Sequence, residues 1–397
     1  MNDLLQKTGL IWVFLILSPA LFIPAIARAD DTEWWSSDFS FRNVYSINSS
    51  LIDADLVNFP VLVYLNSSVV EWINIQNDLD DLRFISSENE LLDHEVDGYS
   101  DNDFAWIWVR IPEISNASDT VFFMYYGNVV ALSVENASGV WDDSFVMVQH
   151  LSDNSTSTVL DSTSNDNDGT KKGINEPIEA TGKIGKAQDE DGNDDYIVGT
   201  DIINVQKITW ECWVYATSYP NNKFIVGLVN GLGSGTQEKV LYSSYGKLIF
   251  RVYDGGNKYT SIPVDTIPIN QWVYLVGIQD GTNAKAYVNG VEVGTVACGD
   301  GFTGYGVPNI FIGGASATYT YLDAVFDEVR ITNIARSVAW VSASYETQRL
   351  NLIELLEAES YFEPYAERGE ILAAGVILAL ILVPLLILII FAVRRKH

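Results

Sequence analysis

The chain has 397 residues, of which 52 are acidic and 23 basic, for a net charge of −29 at pH 7. Such a field repels nucleic acid and anionic lipid surfaces, which excludes both as ligands and leaves attraction of divalent cations, or solubility in salty surroundings, as its consequence. Two cysteines cannot make a disulfide framework, and three histidines without an HExxH, GxSxG or phosphate-cradling loop offer little to hydrolytic or nucleotide chemistry.

In chain order, Lys7 precedes an apolar run over 10–26 and then Ala27-Arg28-Ala29. This is the pattern of a secretory signal over 1–29, with the mature chain starting near Asp30. Residues 30–138 contain no lysine and carry 20 acids against Arg42, Arg83 and Arg110. They also hold four of the five N-x-Ser/Thr sequons, at Asn48, Asn66, Asn116 and Asn136, with the fifth at Asn154. A secreted domain with clustered sequons is expected to be glycosylated on its surface. From residue 141 to 348 lysine appears and glycine is frequent, so a second domain is expected there.

Both regions show short runs rich in Val, Ile, Tyr, Phe and Trp, broken every 8 to 12 residues by Gly, Asn, Asp or Pro. That rhythm predicts an all-β chain of two antiparallel sandwiches. WVYLVGI (272–278), AKAYV (284–288) and VEVGTV (291–296) read as strands, with a turn at Asp280-Gly281 and a tight primed hairpin at Asn289-Gly290. Cys212 alternates with Trp210 and Val214 and so points into a core; in an oxidising compartment it either bridges to Cys298 or both remain buried thiols. Residues 349–370, with spaced Leu and Glu before Pro364, predict a short helical stalk. The uncharged run 371–393 is about 35 Å long as a helix and fits one membrane crossing, with 394–397 as a basic cytoplasmic tail. The expected location is the cell membrane, single-pass, with the ectodomain outside.

Three features bear on chemistry. DHEVD places Asp93, Glu95 and Asp97 at alternate positions beside His94, which on a strand lines one face with carboxylates. Catalysis would need a pair set in a substrate cleft, and a solvated strand face is the simpler expectation. QDEDGNDDY crowds Asp189, Asp191, Asn193, Asp194 and Asp195 on a glycine turn, which suits calcium, a hard ion taking six to eight oxygens. Aromatics able to stack on a sugar include Tyr242, Tyr245, Tyr253, Tyr259, Tyr319 and Tyr321; TYTY puts Tyr319 and Tyr321 on one face, where they are the expected ligand contacts.

The blocks INSSLIDADLVNFPVLVYL, DLRFISSENELLDHEV, AWIWVRIP and FFMYYGN resemble domain of unknown function 2341, a module of archaeal and bacterial surface proteins. VQHLSDNSTSTVLDSTSNDNDGT, KIGKAQDEDGNDDYI, ITWECWVYA, INQWVYLVGIQDGTNAKAYVNGVEVG and IFIGGASATYTYLDAVFDEVRITNIARS resemble the LamG-like, concanavalin-type jelly roll. The second pattern departs at Gln149, where a Trp is common, and at Gln188-Asp189, where a hydrophobic residue commonly precedes the aspartate.

The resemblance implies that the acidic alternation of DHEVD belongs to the first module's framework, and that His150 in VQHL is a framework residue of the jelly roll. It implies a binding role toward glycan or protein, sometimes with calcium against the late FDEV strand, which makes Asp191, Asp195 and Asp327 the expected ligands. Glycosidases on a related jelly roll use alternating acids, but in Glu-Asp-Glu order and not in this domain. The expectation is therefore a membrane-anchored, non-catalytic recognition or adhesion protein. A surface polysaccharide hydrolase or lyase, or a structural envelope protein, is the alternative.

Overall fold

In a computed structural model, the described residues are 34–153, 157–174, 176–199, 207–230, 237–244, 247–252, 258–263, 267–298, 309–315 and 320–361. The segments read as a signal, a membrane helix and a cytoplasmic tail lie outside them, as do Asn154 and Tyr319. Among the described residues no helix is long and apolar enough to cross a membrane. The described residues from Ser36 to Tyr361 form one unit.

The strands build two β-sandwiches, as their alternating pattern predicts. In the first, a three-stranded sheet (Leu56–Asn66, Phe104–Ile114, His94–Ser100) faces a five-stranded one ordered Ile353–Ser360, Phe41–Ile47, Thr120–Tyr126, Arg83–Ser86, Leu91–Leu92. Phe59, Val61, Val63, Ile107, Val109, Phe84 and Phe122 fill the space between them. In the second, one eight-stranded sheet centres on Ile208–Ala216 between Asp323–Thr332 and Trp272–Gln279, with Phe145–Gln149 also paired to Asp323–Thr332. The facing eight-stranded sheet includes Lys223–Asn230, Asn309–Ile312 and Tyr196–Gly199. Trp210 packs so closely over Gly277 that a Cβ there would lie 1.8 Å from its indole nitrogen. The hairpin forms as expected: Asn283–Val288 and Val291–Ala297 are joined by Asn289 and Gly290, both at positive φ (52° and 80°).

Three expectations are corrected. The stretch read as a helical stalk is a strand over Ile353–Ser360, paired antiparallel along Phe41–Ile47. It extends the first sheet, so the first sandwich is not a contiguous 30–138 domain. The helix Val338–Gln348, capped by Ser337 accepting from the Trp340 N–H, wedges between the sandwiches: Trp340 meets Phe59 on one side, and Tyr345 stacks on Trp213 on the other. Finally, Cys212 and Cys298 are both buried and are not bridged to each other. Cys212 sits in Ile208–Ala216, and Cys298 follows Val291–Ala297, three strands away in the same sheet. At roughly 4.8 Å per strand this is about 14 Å, far beyond the span of a disulfide.

Candidate functional site

Two clusters of charge stand out, one at the surface of the second sandwich and one buried between the sandwiches. The first is the acidic turn between Lys186–Asp191 and Tyr196–Gly199. Gly192, at φ +71°, reverses the chain against Asp323 where a side chain would collide with backbone. Asp191 accepts from the backbone N–H and side-chain amide of Asn193, both at 2.8 Å, which holds its carboxyl below the usual range. Asp194 accepts from the Ile174 N–H, and Asp195 from the Asp191 N–H. One oxygen from each of Asp191, Asp194 and Asp195 lies within 4.8 Å of the others, and Asp195 Oδ1 is buried without a hydrogen bond.

Asp327 does not join them. Asp191 pairs with Asp323 across the sheet, and Asp327 lies four residues further along that strand, about 13 Å away. There its Oδ2 accepts from the backbone N–H groups of Lys183 and Ile184 at 2.7 and 2.9 Å. Of the expected ligand tyrosines, Tyr321 is half-buried and stacks on Tyr196 at 5.8 Å, next in sequence to Asp195. Sequence reasoning missed Glu190, which is fully buried with neither oxygen hydrogen-bonded and lies directly on Gly313. Burial, then Asp195, Asp189 and Asp191, push its carboxyl well above the ordinary value.

The second cluster overturns the solvated-face expectation for DHEVD. Asp93 pairs with Arg110 and accepts from the Asn136 amide at 2.7 Å at the edge, whereas Glu95 and Asp97 turn inward against the second sandwich. They meet His150, just past Phe145–Gln149, whose Nε2 lies 3.3 Å from Glu95 Oε2. His150 Nδ1 lies 2.8 Å from Glu328 Oε1 and 3.7 Å from Asp97 Oδ2. Glu95 also accepts from the Trp141 indole N–H at 2.6 Å, and Glu328 pairs with Arg330, which is held 4.1 and 4.7 Å from the rings of Trp108 and Trp141.

Two backbone irregularities aim these acids. Asp97 is the extra residue of a bulge between Val96 and Gly98 opposite Phe104–Ile114. Glu328 sits in a second bulge, where Glu328 and Val329 face Cys212 alone, and holds φ +52°. A left-handed glutamate is strained, and bulges of this kind re-aim a side chain out of the regular alternation. Burial opposes charge on His150, but Asp97, Glu328 and Glu95 together raise its pKa well above the usual value. Burial pushes Asp97 up to about 8, helped by Glu328 and Glu95 and opposed by His150. Burial would also raise Glu95 and Glu328; the His150 charge, with Arg330 beside Glu328, instead holds both below the ordinary value. The cluster is thus a buried knot of charged groups packed against the rings of Trp108 and Trp141.

Among the sequons, Asn48, Asn116 and Asn136 are exposed and Asn66 is half-buried. The side-chain oxygens of Asn48 and Asn66 accept from the N–H and hydroxyl of the serine two residues on.

The family comparisons agree with this architecture. Residues 78–167 match domain of unknown function 2341, and residues 191–342 match the concanavalin A-like lectin/glucanases superfamily, laminin G 3. The chain carries the two modules in tandem. The first match runs past the expected boundary at 138 and takes in His150. No curated protein gives a match. Among solved structures, domain 4 of a GH43 extracellular arabinanase from Geobacillus stearothermophilus, in complex with arabinotriose, is 22% identical over 50% of this chain and 97% of that one, with a TM-score of 0.38. The binding domain of Paraclostridial Mosquitocidal Protein 1 is 17% identical over 52% of each chain (TM-score 0.40), and the receptor binding domain of a botulinum neurotoxin C/D mosaic serotype is 13% identical over 52% of each (TM-score 0.41). The chain spans about half the length of these two toxin domains.

Proposed function

We propose that this is a membrane-anchored, glycosylated cell-surface protein that recognises extracellular glycan or protein without catalysing a reaction, through a calcium-supported site on its second sandwich. One observation carries the reading: the carboxylates of Asp191, Asp194 and Asp195 converge within 4.8 Å on the turn that leads directly into Tyr196, which stacks on Tyr321. Carboxylates on a glycine turn are the ligand type calcium takes, and the buried Asp195 oxygen without a partner fits an ion. Asp191, Asp194 and Asp195 would hold it; the bound ion would supply positive charge and a fixed turn. The tyrosine stack offers the apolar ring face that sugar C–H groups pack against, with the acids as acceptors for hydroxyls. The match to a lectin/glucanase superfamily supports this reading. Burial of Glu95 and Asp97 supports the absence of catalysis by them.

The test is binding of the full chain to a broad glycan array, with calcium and again with chelator. A restricted, calcium-dependent glycan set is expected, and Tyr321→Ala should weaken it by about tenfold or more, the scale of one lost aromatic contact. Silence of the folded protein in both conditions would overturn the glycan reading and leave a protein partner.

A further inference from the structure

We propose that Asp97, His150 and Glu328 bind one divalent transition-metal ion of the zinc class, buried between the two sandwiches. The ligand atoms already converge: His150 Nδ1, a carboxylate oxygen of Glu328 and one of Asp97 all lie within 4.8 Å of one another. A tetrahedral ion with bonds of about 2.0–2.1 Å holds its ligands roughly 3.3 Å apart. The separations found from Nδ1, 2.8 Å to Glu328 and 3.7 Å to Asp97, straddle that spacing, so small side-chain shifts suffice. Asp97 Oδ2 is buried with no hydrogen bond, and it points at this imidazole.

The surroundings are those of a metal-ligating histidine. Its other nitrogen faces a carboxylate, Glu95, which is itself fixed by Trp141, the pairing that orients an imidazole toward a metal. The second oxygen of Glu328 is held by Arg330. With His150 neutral, as a metal ligand must be, the carboxylates of Glu95, Asp97 and Glu328 outnumber Arg330, and a dication offsets that excess. Both carboxylate ligands are delivered by bulges, one in each sandwich, and one of them keeps a strained backbone to do so. An imidazole with two carboxylates selects a transition metal over calcium, which separates this site from the all-oxygen turn at Asp191, Asp194 and Asp195. Its ligands come from both sandwiches, so the ion acts as a staple between them.

The experiment measures metal in the full chain purified without chelator, then strips it and titrates back zinc alone, and cobalt as a spectroscopic probe. The expected result is about one zinc per chain, with a cobalt spectrum of nitrogen and oxygen ligation at low coordination number. Asp97→Asn, which keeps the side-chain shape, should weaken zinc binding by about tenfold or more, and His150→Gln at least as much. Asp191→Asn with Asp195→Asn should leave it unchanged, which separates this site from the calcium turn. If the core variants do not fold, the wild-type histidine nitrogen resonances decide: zinc should perturb Nδ1 of His150. No zinc uptake, with His150 protonated on both nitrogens at saturating metal, would overturn the proposal, as would undiminished binding by Asp97→Asn.

Discussion

Glu190 shows how one buried group sets a pH dependence. Its carboxyl has no hydrogen-bond partner among the described residues and is pushed well above its ordinary value by burial and by Asp195, Asp189 and Asp191. Folding therefore favours its protonated form. Stability from this group is highest below the unfolded carboxyl pKa of about 4.3 and falls as pH rises above it, by up to about 1.4 kcal/mol per unit until the folded pKa is passed. We expect Glu190→Gln to flatten the pH dependence of the melting temperature in chelator and to stabilise the protein at neutral pH, measured by thermal melts from pH 4 to 8. A melting profile that does not change would mean that the carboxyl finds a partner. Gly313 is the companion constraint: at φ +73°, with Glu190 lying over it, it leaves no room for a side chain.

At the scale of elements, the strand Ile353–Ser360 matters most. It covers the edge of Phe41–Ile47, buries Leu352 fully and places Glu359 on Arg42, which also reaches the Tyr125 hydroxyl. Loss of a fully buried leucine alone costs about 2–5 kcal/mol. Deleting residues 352–360 should therefore lower the melting temperature and, by uncovering a sheet edge, promote association, read by light scattering. A monomeric deletion variant with wild-type stability would contradict the role given to this strand. The sequence hid it for a physical reason. In IELLEAES a bulge at Leu356 puts Ile353 and Leu355 beside Tyr45 and Ile47 on the core side and turns Glu357 and Glu359 to the opposite face with Arg42, so no clean two-residue alternation of apolar and polar residues survives. The hairpin at Asn289-Gly290 was legible because its signal is local: two residues that accept positive φ between alternating runs. The buried knot was not, because DHEVD read as a solvated strand face, nothing in the sequence tied His150 to Glu328 and Arg330, and the groups converge only through two bulges. Likewise the acid-rich turn was readable, but its register against Asp323, which excludes Asp327, required the sheet.

Across the whole molecule, the core of the first sandwich does not stop at residue 138. Trp141, Phe145, Val148, Ile184, Trp340 and Leu352 all belong to it, and the Thr347 hydroxyl accepts from the Leu62 N–H within it. The two sandwiches are thus expected to unfold as one. Calorimetry should show a single transition, and Glu328→Gln, which leaves His150 and Arg330 short of a partner, should lower it by the roughly 3–5 kcal/mol typical of breaking a buried pair. Two separate transitions would count against this coupling.

The chain enters and leaves the fold through neighbouring strands: Phe41 pairs with Ser360, and the Tyr361 N–H donates to the Ser40 carbonyl. In mechanical terms everything between those points is a closed loop. Tension applied between residues 40 and 361 reaches the pairing of Phe41–Ile47 with Ile353–Ser360 first, and must open it one register pair at a time from that end. The acidic turn and its tyrosines lie off that load path, so the binding face can keep its shape while the ends are pulled.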